Sequence, residues 1–156
     1  MSATLPGAMP TSLGMLQEPD FFQYAVNIAF TSGLENFTPT VPIQYDSHFV
    51  CVLTTYSNTL EVGVAANGYV SINGGGVVQL SDGSTNRSLQ NIQVPINALF
   101  GSAREPFVWP KPHAFRANGA IVVNITGAGA TMAGQTIRLV FGGYKVPTNM
   151  APGQNF

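Results

Sequence analysis

Glycine and proline interrupt this chain at short intervals along its length. The sequence holds 17 Gly and 11 Pro among 156 residues, and they are spread out instead of being collected in one linker. Glycine weakens helices and strands because of its conformational freedom, and proline because it lacks an amide N–H. The spacing is therefore typical of many short strands joined by turns. At this length we expect a single domain.

Between these breaks the apolar residues alternate, as they do in strands that bury one face. The clearest strand is predicted from residue 22, with every second side chain from Phe22 to Phe30 on one face. Residues 49–56 are apolar on both faces and predict a central strand, which contains the single cysteine, Cys51. A strand is predicted at 41–45, with Val41, Ile43 and Tyr45 on one face and with Pro42 marking an edge or a bulge. Two short strands at 60–65 and 69–73 are predicted to form a hairpin around an Asn67-Gly68 turn. Further strands are predicted at 77–80, 92–94, 120–126 and 135–146.

This pattern predicts an all-β fold, an antiparallel two-sheet sandwich. A jelly-roll-like topology is preferred over an immunoglobulin-like one, since no cysteine pair is present. Residues 1–20 are rich in Pro, Gly, Met, Ser and Thr without a period, and we expect an extended N-terminal arm that orders against a neighbouring subunit. Residues 21–146 form the predicted β-sandwich domain, and residues 147–156 a polar C-terminal tail.

Charge is scarce in this sequence. Charged residues make up 8% of the chain, against about 25% in an ordinary soluble domain. Such a surface resists association poorly, so we expect a homo-oligomer, with a trimer as the best guess. The net charge of −1 argues against a nucleic-acid partner. No apolar run approaches the length of a membrane span, and no signal peptide is recognisable, so no membrane partner is expected.

The sequence shows no arrangement typical of catalysis or metal binding. Its seven carboxylates are scattered, and His48 and His113 lie far apart without a third metal ligand or a nucleophile. Residues 81–86 are predicted to form an exposed polar loop, in which Asp82, Ser84 and Asn86 are too few for a calcium site. We therefore expect a non-enzymatic protein with no catalytic residue, cofactor or metal.

One segment combines basic and aromatic side chains. Prolines 106, 110 and 112 leave residues 107–109 as a short edge strand at most, in an otherwise extended, rigid arm. Such an arm favours a subunit interface, although the same residues could line a ligand groove that stacks on bases or sugars. The candidate interface residues are Phe107, Trp109, Arg104, Lys111 and Arg116.

Several segments of the chain resemble a known group of proteins. They are Arg-Glu-Pro-Phe-Val-Trp-Pro-Lys-Pro at 104–112, Phe-Arg-Ala-Asn-Gly at 115–119, Ile-Arg-Leu-Val-Phe-Gly-Gly-Tyr-Lys at 137–145, Phe-Phe-Gln-Tyr at 21–24, and the region 43–52. Together they resemble the small, jelly-roll-like virion structural proteins of tailed bacteriophages. The resemblance extends over most of residues 20–146.

This resemblance implies a place in the virion, after assembly in the host cytoplasm, and no active-site residues. The leading hypothesis is a capsid decoration, or cement, protein that binds the outside of a phage head. Its partners would be its own copies and the major capsid protein or another virion protein. One alternative is a neck, tail or fibre component. Another is a carbohydrate-binding β-sandwich with Trp109, Tyr69 or Tyr56 as stacking platforms.

Overall fold

Strands in two antiparallel sheets make up the regular structure of this chain. The computed structural model describes residues 20–60, 76–127, 129 and 132–148. The strands are β1 (Asp20–Ala29), β2 (Asn36–Phe37), β3 (Thr40–Pro42), β4 (Ser47–Leu60), β5 (Val77–Asp82), β6 (Arg87–Ser88), β7 (Val94–Pro95), β8 (Phe107–Phe115), β9 (Ala120–Thr126) and β10 (Gln135–Pro147). A 3-10 turn lies at Ile96–Ala98, and no helix within the described ranges could cross a membrane.

The order of the strands defines the topology. The four-stranded sheet has the order β1-β10-β4-β8. In the six-stranded sheet β9 and β5 are central, β2 and β3 both pair with β9, and β6 and β7 both pair with β5. If β2 with β3 and β6 with β7 are each counted as one interrupted strand, the described residues contain eight strands. The first of these (β1) then pairs with the eighth (β10), and the second (β2 and β3) pairs with the seventh (β9). The third (β4) pairs with the sixth (β8), and the fourth (β5) pairs with the fifth (β6 and β7). This nested pairing is that of a jelly roll, and the predicted fold class is confirmed.

The core lies between the two sheets and follows the alternation seen in the sequence. Along β1, Tyr24 and Ile28 are buried while their neighbours are exposed or half-buried. Along β9, the buried residues are every second one from Ile121 to Ile125. The largest fully buried side chains include Phe49, Phe115 and Phe141 of the four-stranded sheet and Ile121 and Ile125 of the six-stranded sheet.

Strand β4 is the central strand that its apolar sequence predicts. It pairs with β10 on one side and with β8 on the other. Cys51 is fully buried within it, and burial raises the pKa of its thiol to about 12. The thiol therefore stays protonated and unreactive at neutral pH, as expected of a buried structural cysteine.

Two details of the predicted third strand have different outcomes. Pro42 lies in β3, which pairs with β9 alone in the described residues, so the predicted edge position is confirmed. Val41 and Ile43 are buried as predicted, but the prediction for Tyr45 was wrong, because 78% of this residue is exposed. The chain turns away from the sheet after Ile43. Residues 61–73 of the predicted hairpin, residues 1–19 of the arm and the end of the tail lie outside the described residues.

The connection after β1 is held by one carboxylate. Glu35 accepts hydrogen bonds from the backbone amides of Thr31, Ser32 and Gly33 at 2.6–2.8 Å. These amides, with that of Ser32 contributing most, lower the pKa of Glu35 to about 2. The loop thus folds around an ionised side chain.

Candidate functional site

The proline-aromatic segment forms an edge strand with a bulge. Cys51 of β4 is opposite His113 of β8, and Leu53 is opposite Val108, so residues 109–112 of β8 face Val52 alone. The extra residues must leave the hydrogen-bonded ladder. Pro110 and Pro112 lie in this bulge, where no amide N–H is needed. The predicted short piece at 107–109 was therefore too short, because the bulge allows a strand from Phe107 to Phe115.

Trp109 is anchored to the interior from within this bulge. Its side chain is half-buried and packs against the core. The indole N–H donates a hydrogen bond to the hydroxyl of Thr54 at 3.1 Å, and that hydroxyl donates to the backbone carbonyl of Leu99. Thr54 is itself fully buried. The hydrogen bond and the packing therefore fix the orientation of the indole ring.

A cleft of about 410 Å³ lies beside the bulge. One wall is β8, and the other is β6 with the residues that follow it. The cleft is lined by Arg87, Ser88, Leu89, Gln90, Leu99, Phe107, Trp109, Pro110, Lys111, Pro112 and His113.

The five predicted interface residues divide into two groups. Phe107, Trp109 and Lys111 line the cleft. Arg104 precedes β8 and Arg116 follows it; both are exposed and neither lines the cleft. Whether these residues contact another subunit stays a prediction.

Sequence reasoning missed the contribution of Arg87 to this cleft. Arg87 lies in β6, which belongs to the other sheet and pairs with β5. It reaches the cleft only because the two sheets pack face to face, and the polar sequence around it carries no sign of that packing. The alternation of apolar residues shows which face of a strand is buried, but not which strands meet across the sandwich.

An acid-base pair at the end of the cleft was also missed. Asp82 Oδ2 lies 2.9 Å from His113 Nε2, and the other carboxylate oxygen, Oδ1, accepts hydrogen bonds from the Ser84 hydroxyl at 2.6 Å and the Ser84 amide at 2.9 Å. The prediction of an exposed loop was wrong for Asp82, which is 3% exposed and ends β5. Both carboxylate oxygens of Asp82 are thus engaged by partners within the fold.

These contacts set the charge of Asp82. Burial opposes its ionisation, but the hydrogen bonds from Ser84 and His113 and the charge of His113 outweigh burial, so the pKa of Asp82 lies below its usual value. The Asp82–His113 contact is the ion pair found in the part of the chain that the structure describes. Arg87 and Lys111 consequently have no carboxylate partner there. The cleft is thus lined by two unpaired cations and an anchored tryptophan.

A second notable surface is the outer face of the four-stranded sheet. Phe21 is paired with Tyr144 across β1 and β10, with ring centroids 5.9 Å apart. Leu53 lies over Gly142 and is paired with Val108 on β8. Phe21, Tyr144 and Val108 are 53%, 40% and 66% exposed. We call the apolar patch formed by Phe21, Leu53, Val108 and Tyr144 the outer apolar face.

Few charges interrupt the outer apolar face. On the same face of the sheet, Arg138 donates a hydrogen bond from its Nε to the Asn27 side-chain oxygen at 2.8 Å, and these two residues are cross-strand partners. Two rows lie between them and the aromatic pair, with Ala25 opposite Val140 and Gln23 opposite Gly142. The described part of this face therefore combines apolar and small side chains with the uncharged polar residues Gln23, Asn27, Thr55 and Ser57 and one arginine.

The described residues contain no group of three or more side chains that could hold a metal ion. Comparisons of the sequence and the structure with protein-family models, curated proteins and solved structures gave no match.

Proposed function

We propose that this chain is a non-enzymatic structural subunit of a tailed-bacteriophage virion, and most specifically a capsid decoration protein. The outer apolar face is the observation that carries the proposal. A monomer gains nothing from exposing Phe21, Tyr144 and Val108 together, whereas a subunit that packs this face on another protein removes their apolar surface from water.

The scarcity of charge supports the same function. With 8% charged residues, the surface has little to oppose contact between like copies. Jelly-roll sandwiches occur in viral capsid proteins. The segments at 104–112, 115–119 and 137–145, which resemble phage virion proteins, lie in or beside β8 and β10, and these strands contribute Val108 and Tyr144 to the outer apolar face.

The oligomeric state tests the role of this face. We expect the purified protein to be a stable oligomer at micromolar concentration, with a trimer as the best guess, because burial of the face stabilises association. Val108→Lys should dissociate it, since the substitution places a charge in the contact. Multi-angle light scattering measures the mass of both proteins.

Leu34→Lys is the matched control, because Leu34 is 68% exposed in the connection after β1 and lies off the sheet. It should leave the oligomer intact. A wild-type protein that is monomeric at micromolar concentration, or equal dissociation by both substitutions, would contradict the proposed use of the outer apolar face.

The copy number in particles of the virus that encodes this chain separates decoration from the alternatives. Quantitative mass spectrometry of purified particles should find hundreds of copies of a decoration protein on each head. A neck, tail or fibre component would be present in a handful. Absence from purified particles would refute a virion role altogether.

A further inference from the structure

We infer that the cleft beside the β8 bulge binds an anionic saccharide, a sugar that carries a carboxylate or a phosphate group. This binding activity goes beyond the structural role proposed above and does not depend on it. The cleft volume of about 410 Å³ lies within the usual range for small-molecule sites.

The aromatic part of the cleft suits a sugar ring. Trp109 directs its indole N–H inward to Thr54 at 3.1 Å, so the remaining exposed part of the ring is held in place beside Phe107 and Leu99. The face of an aromatic ring is electron-rich and attracts the slightly positive C–H groups of a sugar. A ring already fixed in the free protein loses little entropy on binding.

The charges of the cleft select an anion. Arg87 and Lys111 come from different sheets, line the same cleft and have no carboxylate partner in the described residues. Asp82, the carboxylate that contacts the lining residue His113, is already engaged by His113 and Ser84. Two cations near an aromatic ring provide charge-assisted hydrogen bonds to a carboxylate or phosphate.

The wall opposite Trp109 is also preformed. The side-chain oxygen of Gln90 accepts a hydrogen bond from the Leu80 amide at 2.8 Å, and the backbone carbonyl of Gln90 accepts one from the Gln79 side chain at 2.8 Å. Both contacts tie the segment after β6 to β5. The cleft therefore has two walls held by the fold, as expected of a binding site.

The chain contains one tryptophan, so fluorescence excited at a wavelength that tyrosine does not absorb reports on this cleft. We would titrate the full-length protein with cellobiouronic acid and cellobiose, with glucose 6-phosphate and glucose, and with inorganic phosphate. Calorimetry would check each titration independently. We expect at least one anionic sugar to bind about tenfold more tightly than both its neutral counterpart and inorganic phosphate.

Three substitutions locate the site. Arg87→Ala and Lys111→Ala should each weaken binding of the anionic sugar about tenfold, because each removes a charge-assisted hydrogen bond. Arg104→Ala is the matched control, since Arg104 is exposed but does not line the cleft. All three side chains are exposed, so the melting temperature should not change.

Equal binding of charged and neutral sugars would overturn the inference, as would inorganic phosphate binding as tightly as the sugars. Equal loss of binding in Arg104→Ala and Lys111→Ala would overturn the assignment to this cleft. The absence of a response to either anionic sugar at millimolar concentration would overturn the inference as a whole. None of these results bears on the oligomer test, because Val108 lies on the outer apolar face.

Discussion

Among single side chains, Asp82 and His113 form the contact that joins the two sheets through charge. Asp82 ends β5 in one sheet and His113 lies in β8 at the edge of the other. The pKa of Asp82 is lowered in the folded protein, so folding favours the ionised carboxylate. The resulting stability is present above the usual Asp pKa of 3.8, and it is lost as the pH falls through the lower, folded-state pKa.

Asp82→Asn should therefore reduce the free energy of unfolding at pH 7, and the difference from the wild type should shrink as the pH falls below about 4. Urea denaturation between pH 7 and pH 2 measures both. Asp46→Asn, at an exposed position, is the control and should follow the wild-type curve. A difference that stays constant across this range would show that the Asp82 charge does not stabilise the fold.

Trp109 provides a second prediction at this scale. Trp109→Ala should lower the free energy of unfolding by about 2 kcal/mol, below the roughly 3 to 5 kcal/mol of a fully buried aromatic, because the ring is half-buried. Denaturation followed by circular dichroism measures the change. Leu34→Ala, at an exposed position off the sheet and away from the outer apolar face, should cost far less. Equal costs would mean that the hydrogen bond to Thr54 and the packing of the indole do not stabilise the fold.

The sequence predicted the burial of single side chains correctly where burial depends on the residues next to them in the sequence. Cys51 lies in an apolar run and is buried as expected. Asp82 lies among polar turn residues, and its burial depends on His113, which is 31 positions away in the sequence. Tyr45 failed for a related reason, since alternation continues in the sequence after the chain has left the sheet.

At the scale of strands, Gly142 and Gly143 show how closely β10 approaches β4. A Cβ on Gly143 would lie 1.9 Å from the backbone carbonyl oxygen of Val50, whereas a Cβ on Gly142 would lie 2.6 Å from the Leu53 Cδ1. The backbone oxygen belongs to the central strand and cannot move without breaking the ladder. The Leu53 side chain is half-buried and can change its rotamer.

Gly143→Ala should consequently cost more than about 3 kcal/mol of stability, and Gly142→Ala about 1 kcal/mol. Chemical denaturation of the two single variants measures the difference. Each carries the same added methyl group on adjacent residues, so Gly142→Ala serves as the control. A smaller cost for Gly143→Ala than for Gly142→Ala would contradict the described register at the β4 bulge.

Strands with clean alternation were predictable, and β9 was predicted with the bounds that the structure gives it. The extent of β8 was not predictable, because Pro110 and Pro112 normally end a strand. The bulge opposite Val52 accommodates them, and a bulge requires knowledge of the partner strand. The same limitation applied to the cleft, whose walls β6 and β8 are separate in sequence.

At the scale of the whole molecule, the fold class followed from composition and strand period, while the pairing of strands did not. The short strands, the turn residues and the lack of a cysteine pair favoured a jelly roll over other sandwiches. The nested pairing of first with last and third with sixth appears only in the assembled sheets. The alternation of apolar residues can be read from one strand alone, whereas the topology depends on which strands pair with each other.

The position of β10 inside the four-stranded sheet affects when the protein can fold during its synthesis. Strand β1 pairs with β10 and with no other strand of the described sheets, and β4 has β10 on one side. Until the ribosome has released residues 135–147, the strand made first therefore lacks its neighbour. Assembly of the four-stranded sheet should therefore wait for the last strand, and a nascent chain ending at residue 134 should remain sensitive to proteases. Newly made molecules consequently expose the apolar side of β1 until late in translation.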